Sequence, residues 1–113
     1  MINETIYVYE KKCRMCPKMV RSAILVTLEG KTKLFAEFSE AQRKLMISLG
    51  IDIKMVAGKD GKPIPKVVCS LCKTIPIDLN YRDLKDFNIE PNIVITYDEN
   101  GKLIEQKFIH AFK

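Results

Sequence analysis

Hydrophobic and polar positions along the chain fall into short runs whose spacing predicts a succession of elements. Thr5-Ile6-Tyr7-Val8-Tyr9 is β-branched and aromatic, and reads as a strand buried on both faces. Glu10-Lys11-Lys12 ends it. Pro17 suits the first turn of a helix, and Val20, Ala23, Ile24, Thr27 and Leu28 then recur at helical spacing. Lys18, Arg21 and Ser22 lie off that stripe. The pattern predicts a helix over about 16–29, stopped by Gly30.

Lys33 to Phe38 reads as a second strand. Ser39 and Gln42 have capping-box spacing and open a helix over about 40–49, with Gly50 as its stop. Ile51 to Val56 reads as a third strand. Gly58 to Lys62 carries the Asp-Gly turn signal, and a hairpin partner then begins after Pro65 with Val67-Val68-Cys69. Asn80 caps a short helix from Tyr81 to Phe87. The run Ile93 to Tyr97, the turn Asp98 to Gly101, and the return from Lys102 to Ile109 form a terminal hairpin.

Composition narrows the class. Hydrophobic residues are 47% and charged residues 29%, which fits one ordinary globular domain over residues 1–113 rather than a disordered or fibrous chain. The run Ala23-Ile24-Leu25-Val26 falls far short of the roughly 20 apolar residues of a membrane-spanning helix. Met1-Ile2-Asn3-Glu4 starts no secretory signal, so the expected compartment is the cytoplasm. The net charge of +5 is uneven: residues 1–28 and 58–77 are basic, while 78–113 are acidic. Such charge suits nucleic acid or stabilises thiolates. With no long basic run and few interleaved aromatics, nucleic acid is the less favoured partner.

Both basic stretches carry a cysteine pair, Cys13-Arg14-Met15-Cys16 and Cys69-Ser70-Leu71-Cys72. In a reducing compartment, such pairs point to redox or metal chemistry rather than structural disulfides. A thiol at a helix start faces unpaired N–H groups and the positive end of the helix dipole. On that reading Cys13 is the nucleophile and Cys16 the resolving thiol of a small thiol–disulfide oxidoreductase. It needs no cofactor and acts on a protein or small-molecule disulfide.

Ile6-Tyr7-Val8-Tyr9, the Cys13–Cys16 pair and the helix after it resemble the start of glutaredoxins and other thioredoxin-fold proteins. Residues 81–109 look like that family's helix, cis-proline, strand, turn and strand. The resemblance covers about 5–49 and 81–109. It implies an α/β fold, a four-stranded mixed sheet flanked by helices. It also implies substrate contacts at Glu90 and Pro91, with Arg14 and Met15 beside the substrate. Pro65 competes with Pro91 for the cis-proline position. Residues 51–80 then form an insertion, and the final helix shrinks to His110–Lys113.

The competing reading is a non-enzymatic module in which Cys13, Cys16, Cys69 and Cys72 bind zinc and the surface contacts nucleic acid or a protein. Three features weigh against it. Fifty-two residues separate Cys16 from Cys69, well beyond the common ribbon spacing of about 15–20. No glycine follows either pair. A strand continuing through Cys69 would send Cys69 and Cys72 to opposite faces. Cys69 and Cys72 also read as two small buried hydrophobes.

Overall fold

The computed structural model describes residues 2–74 and 89–112. The helix expected over 81–87 lies outside them. Among the described residues the strands are β1 (Ile2–Lys12), β2 (Met19–Thr27), β3 (Thr32–Lys33), β4 (Ile53–Ala57), β5 (Pro63–Val67), β6 (Ile93–Asp98) and β7 (Leu103–Phe108). One α-helix, α1 (Glu40–Ser48), and a 3₁₀ turn at Phe35–Glu37 complete the elements. Five strands form an antiparallel sheet in the order β3-β2-β1-β6-β7, and β4 and β5 form a separate ribbon.

This corrects the expected α/β architecture. The sheet is antiparallel throughout, and a single α-helix accompanies it among the described residues. The decisive segment is Met19–Thr27, which the spacing assigned to a helix. It is instead a nine-residue strand paired with β1 from Lys12↔Met19 to Glu4↔Thr27. Ala23, Ile24 and Leu25 are all buried because both faces of β2 are covered. A short apolar run covered on both sides carries no period, so helix and strand look alike in it. Val20, Ile24, Val26 and Thr27 are β-branched, and the long-range pairing with β1 decides the outcome. Pro17 lies in the loop between the two strands, not at a helix start.

Lys33–Phe38 is likewise not one strand; pairing stops at Lys33 and the 3₁₀ turn follows. Other elements match their pattern. Ser39 Oγ accepts from the Gln42 N–H, and the Gln42 side chain accepts from the Ser39 N–H, closing the capping box that opens α1. Gly50, at φ +91°, ends the segment, and a Cβ there would overlap the Arg21 guanidinium. That guanidinium donates to the Leu49 carbonyl and stacks on Phe112. The terminal hairpin is present as read, with the Asp98 carboxylate accepting from the Asn100 and Lys102 N–H groups in its turn.

The ribbon starts two residues earlier than Pro65. The N–H groups of Gly58 and Val68 bond to the Lys62 and Asp52 carbonyls, so bonded pairs alternate at Lys62, Ile64, Lys66 and Val68. Pro63 and Pro65 therefore face the outer edge, where no donor is needed.

The sheet face bearing Ile6, Val8, Ala23, Leu25, Ile93, Ile95 and Tyr97 packs against Phe35, Phe38, Met46, Ile51, Val67 and Cys69. Helix α1 and the ribbon thus cover one face. At the rim of that core, Glu4 accepts from Gln42 Nε2 and pairs with Lys33 at 3.3 Å. The opposite face holds a smaller cluster of Tyr9 and Ile24, with Tyr7 and Ile89. Among the described residues no helix is long and apolar enough to cross a membrane.

Met46 is fully buried in the core, whereas Met55 on β4 is 56% exposed. Met46→Ala is expected to lower the unfolding free energy by about 3 kcal/mol in urea titrations. Met55→Ala is expected to change it by less than about 0.5 kcal/mol.

Candidate metal centre

The chain brings its two cysteine pairs to one place by two different routes. Cys13–Cys16 lies in the loop joining β1 to β2, and Cys69–Cys72 in the turn after β5. The ribbon, packed on the sheet through Val67 and Cys69, carries the second pair to the end of β1. All four Sγ atoms lie within 4.8 Å of one another. Cys13 Sγ is 3.5 Å from Cys72 Sγ, and Cys16 Sγ is 3.6 Å from Cys69 Sγ. Bonded sulfurs would be about 2.05 Å apart, so these are four free cysteines. Four sulfurs held at about 2.3 Å from a central tetrahedral ion would be about 3.8 Å apart, close to the spacing seen.

The two loops are built alike. In the first, the Cys13 N–H donates to the Lys18 carbonyl at 2.8 Å. In the second, the Cys69 N–H donates to the Thr74 carbonyl at 2.9 Å, again five residues on. Each second cysteine receives an N–H two residues later: Lys18 for Cys16 and Thr74 for Cys72. The strand expected to continue through Cys69 stops at Val67, so its alternation no longer separates Cys69 from Cys72. The missing glycine is replaced by Lys73, a non-glycine residue at φ 61° whose N–H donates to the Cys69 carbonyl. The alternation objection is thereby removed, Lys73 supplies the glycine conformation in the second loop, and the long separation is bridged by the fold.

The thiols differ in their surroundings. Cys13 and Cys69 are buried, Cys16 is half-buried and Cys72 is exposed. The Thr74 side-chain oxygen, 3.3 Å from the sulfur, and the Thr74 N–H hold the Cys72 thiol down at about 6. The N–H groups of Cys72 and Leu71 hold Cys69 below its ordinary value. For Cys16 the Lys18 N–H pulls downward, but burial and the sulfurs of Cys69, Cys13 and Cys72 outweigh it and push the thiol up to about 12. Four thiolates in this volume repel one another, and a divalent cation among them relieves that repulsion.

The other predicted site residues stand apart. Arg14 and Met15 are exposed at the tip of the first loop. Glu90 is exposed, with its carboxylate 2.6 Å from His110 Nε2. Pro91 leads into β6, and no peptide bond among the described residues is cis, at Pro65 or Pro91 included. Glu90 instead lines, with Glu10, Met19, Asn92 and His110, an open cleft of about 560 Å³ that contains no cysteine. The helix that would activate Cys13 is absent, since β2 occupies its place. Sequence reasoning overlooked Thr74 and the backbone N–H of Lys18, a residue it considered only for its side-chain charge. The only signal for them is their equal offset, five residues after Cys69 and Cys13.

No protein-family model matches the chain, and no curated protein or solved structure is detectably similar to it. Nothing beyond the residues themselves therefore supports a thioredoxin-like relationship.

Lys73 holds a left-handed conformation that costs a side-chain-bearing residue about 1 kcal/mol. Lys73→Gly is expected to keep or raise the thermal midpoint of the isolated protein, by up to about 1 kcal/mol of stability. Lys73→Val is expected to lower it by about 1–2 kcal/mol, because β-branched residues tolerate this region worst.

Proposed function

We propose that this chain is a non-enzymatic binding module organised by a closed Cys₄ zinc centre. The observation that carries the reading is the convergence of Cys13, Cys16, Cys69 and Cys72 within 4.8 Å as free thiols. A set of four thiolates favours zinc among the common divalent ions. Four protein ligands leave no position for water or substrate, as in structural rather than catalytic zinc sites. The N–H groups directed at Cys16, Cys69 and Cys72 supply the outer hydrogen bonds that orient such ligands. Bound zinc would act as a cross-link between the β1–β2 loop and the ribbon.

The redox reading has less support. Its nucleophile, Cys13, is 6% exposed and follows a strand into a loop, without a helix dipole behind it. The partner that best fits the surface is a protein. The third position of each loop is apolar and exposed, Met15 at 71% and Leu71 at 66%. Arg14, Lys18 and Lys73, all exposed, belong to the same two segments. Apolar tips with basic neighbours suit a segment that is acidic and carries apolar anchors.

Protein isolated without chelator is expected to hold one zinc per chain by elemental analysis. Its Co²⁺ form should show the absorption of tetrahedral thiolate ligation. Removing the metal under reducing conditions should lower the thermal midpoint by more than about 10 °C, because metal affinity here is folding stability. Cys16→Ser and Cys69→Ser should each weaken metal binding. A metal-free protein that loses two thiols on mild oxidation, and whose disulfide reductase activity disappears in Cys13→Ser, would establish the redox reading instead.

The choice of partner has its own test. Oligonucleotide titration at physiological salt is expected to show no binding tighter than about 1 µM, the range of non-specific contact. Tighter, salt-sensitive binding would identify nucleic acid as the partner.

A further inference from the structure

The five-stranded sheet has two edges among the described residues, and they differ. β3 is only two residues long, whereas β7 offers six residues with no described strand beyond them. Natural sheets usually shorten, charge or cover an open edge. Here Leu103, Ile104, Phe108 and Ile109 are between 43% and 69% exposed.

The sequence of that edge is self-complementary. Reading outward from Gln106, Glu105 mirrors Lys107, Ile104 mirrors Phe108, and Leu103 mirrors Ile109. We propose that β7 pairs antiparallel with β7 of a second copy of this chain, about a two-fold axis through Gln106, joining two sheets into one of ten strands.

The backbone bonding pattern agrees with that axis. The Ile109 N–H bonds to the Asn92 carbonyl, and bonded pairs alternate along an antiparallel ladder. Lys107 and Glu105 therefore commit their backbone groups to Val94 and Thr96. Gln106 and Phe108 turn theirs to the free edge. A two-fold axis at Gln106 makes Gln106 a bonded pair with its own copy and sets Ile104 opposite Phe108 of the second copy. Glu105 then faces Lys107 of the second copy in the closer, non-bonded type of pair, where opposite charges interact best. The symmetry repeats that ion pair, so one interface holds two. The ladder irregularity falls at Ile104, the extra residue between Leu103 and Glu105, and leaves Glu105 to Phe108 regular. An interface of this kind is isologous, so each copy satisfies the other and the pairing closes at two.

The test uses reduced, metal-replete protein, with mass measured by light scattering and sedimentation across concentration. The wild type is expected to be a dimer that dissociates on dilution. Glu105→Lys sets lysine against lysine at both facing pairs, and Lys107→Glu sets glutamate against glutamate. Each variant alone is expected to dimerise at least about tenfold more weakly. Mixed in equal amounts, they should form a heterodimer of near wild-type strength, because every facing pair is again of opposite charge. Glu105 is exposed and Lys107 is exposed, and circular dichroism and zinc content on the same samples report whether the fold and the metal centre are intact. A wild type that stays monomeric to its solubility limit would overturn the proposal. So would single variants that dimerise as the wild type does, or a mixture that fails to pair.

Discussion

Four sulfur atoms within 4.8 Å of one another cannot all be thiolates unless positive charge lies among them. Protons or a cation must supply it. The neighbouring sulfurs push Cys16 up while Thr74 holds Cys72 down, opposing shifts within one small cluster. The rest of the architecture depends on how this convergence is maintained. The β1–β2 loop and the turn after β5 are far apart in the chain, and the ribbon must be seated on the sheet before their sulfurs can meet. Val67, Cys69 and Ile51 seat it through the main core. A cation at the cysteines would hold the same junction from its rim.

Legibility from sequence followed the distinction between local and long-range determinants. Helix α1 was readable because Ser39 and Gln42 act on each other three residues apart, and the observed hydrogen bonds are those the residue types dictate. The terminal hairpin was readable for the same reason, since Asp98 and Gly101 form its turn locally. β2 was not readable as a strand. Its conformation is set by nine partners in β1 and by cover on both faces, neither of which leaves a period in the sequence. That one misassignment carried the α/β reading with it, because a helix after Cys13–Cys16 is what the thioredoxin resemblance requires.

The site was half legible. The cysteine spacing named as a candidate set the four residues that the fold brings together, but two local arguments pointed away from it. After Cys72 the absent glycine was compensated by Lys73 accepting a left-handed backbone. The apparent alternation through Val67, Cys69 and Leu71 ended because the strand itself ended at Val67. Glu90 and Pro91 were placed by analogy alone. The structure gives them separate surroundings, beside His110 and the start of β6.

The two outward-facing prolines of β5 bear on a different property of the molecule, its colloidal behaviour. A protein with two open strand edges can add copies at both and grow without limit. Pro63 and Pro65 withhold a donor at alternate positions, so the ribbon's outer side is a poor template for another strand. The short β3 does the same for one end of the main sheet. Of the five-stranded sheet's two edges only β7 is long, so that sheet can recruit a copy along one side and cannot lengthen by strand addition at both.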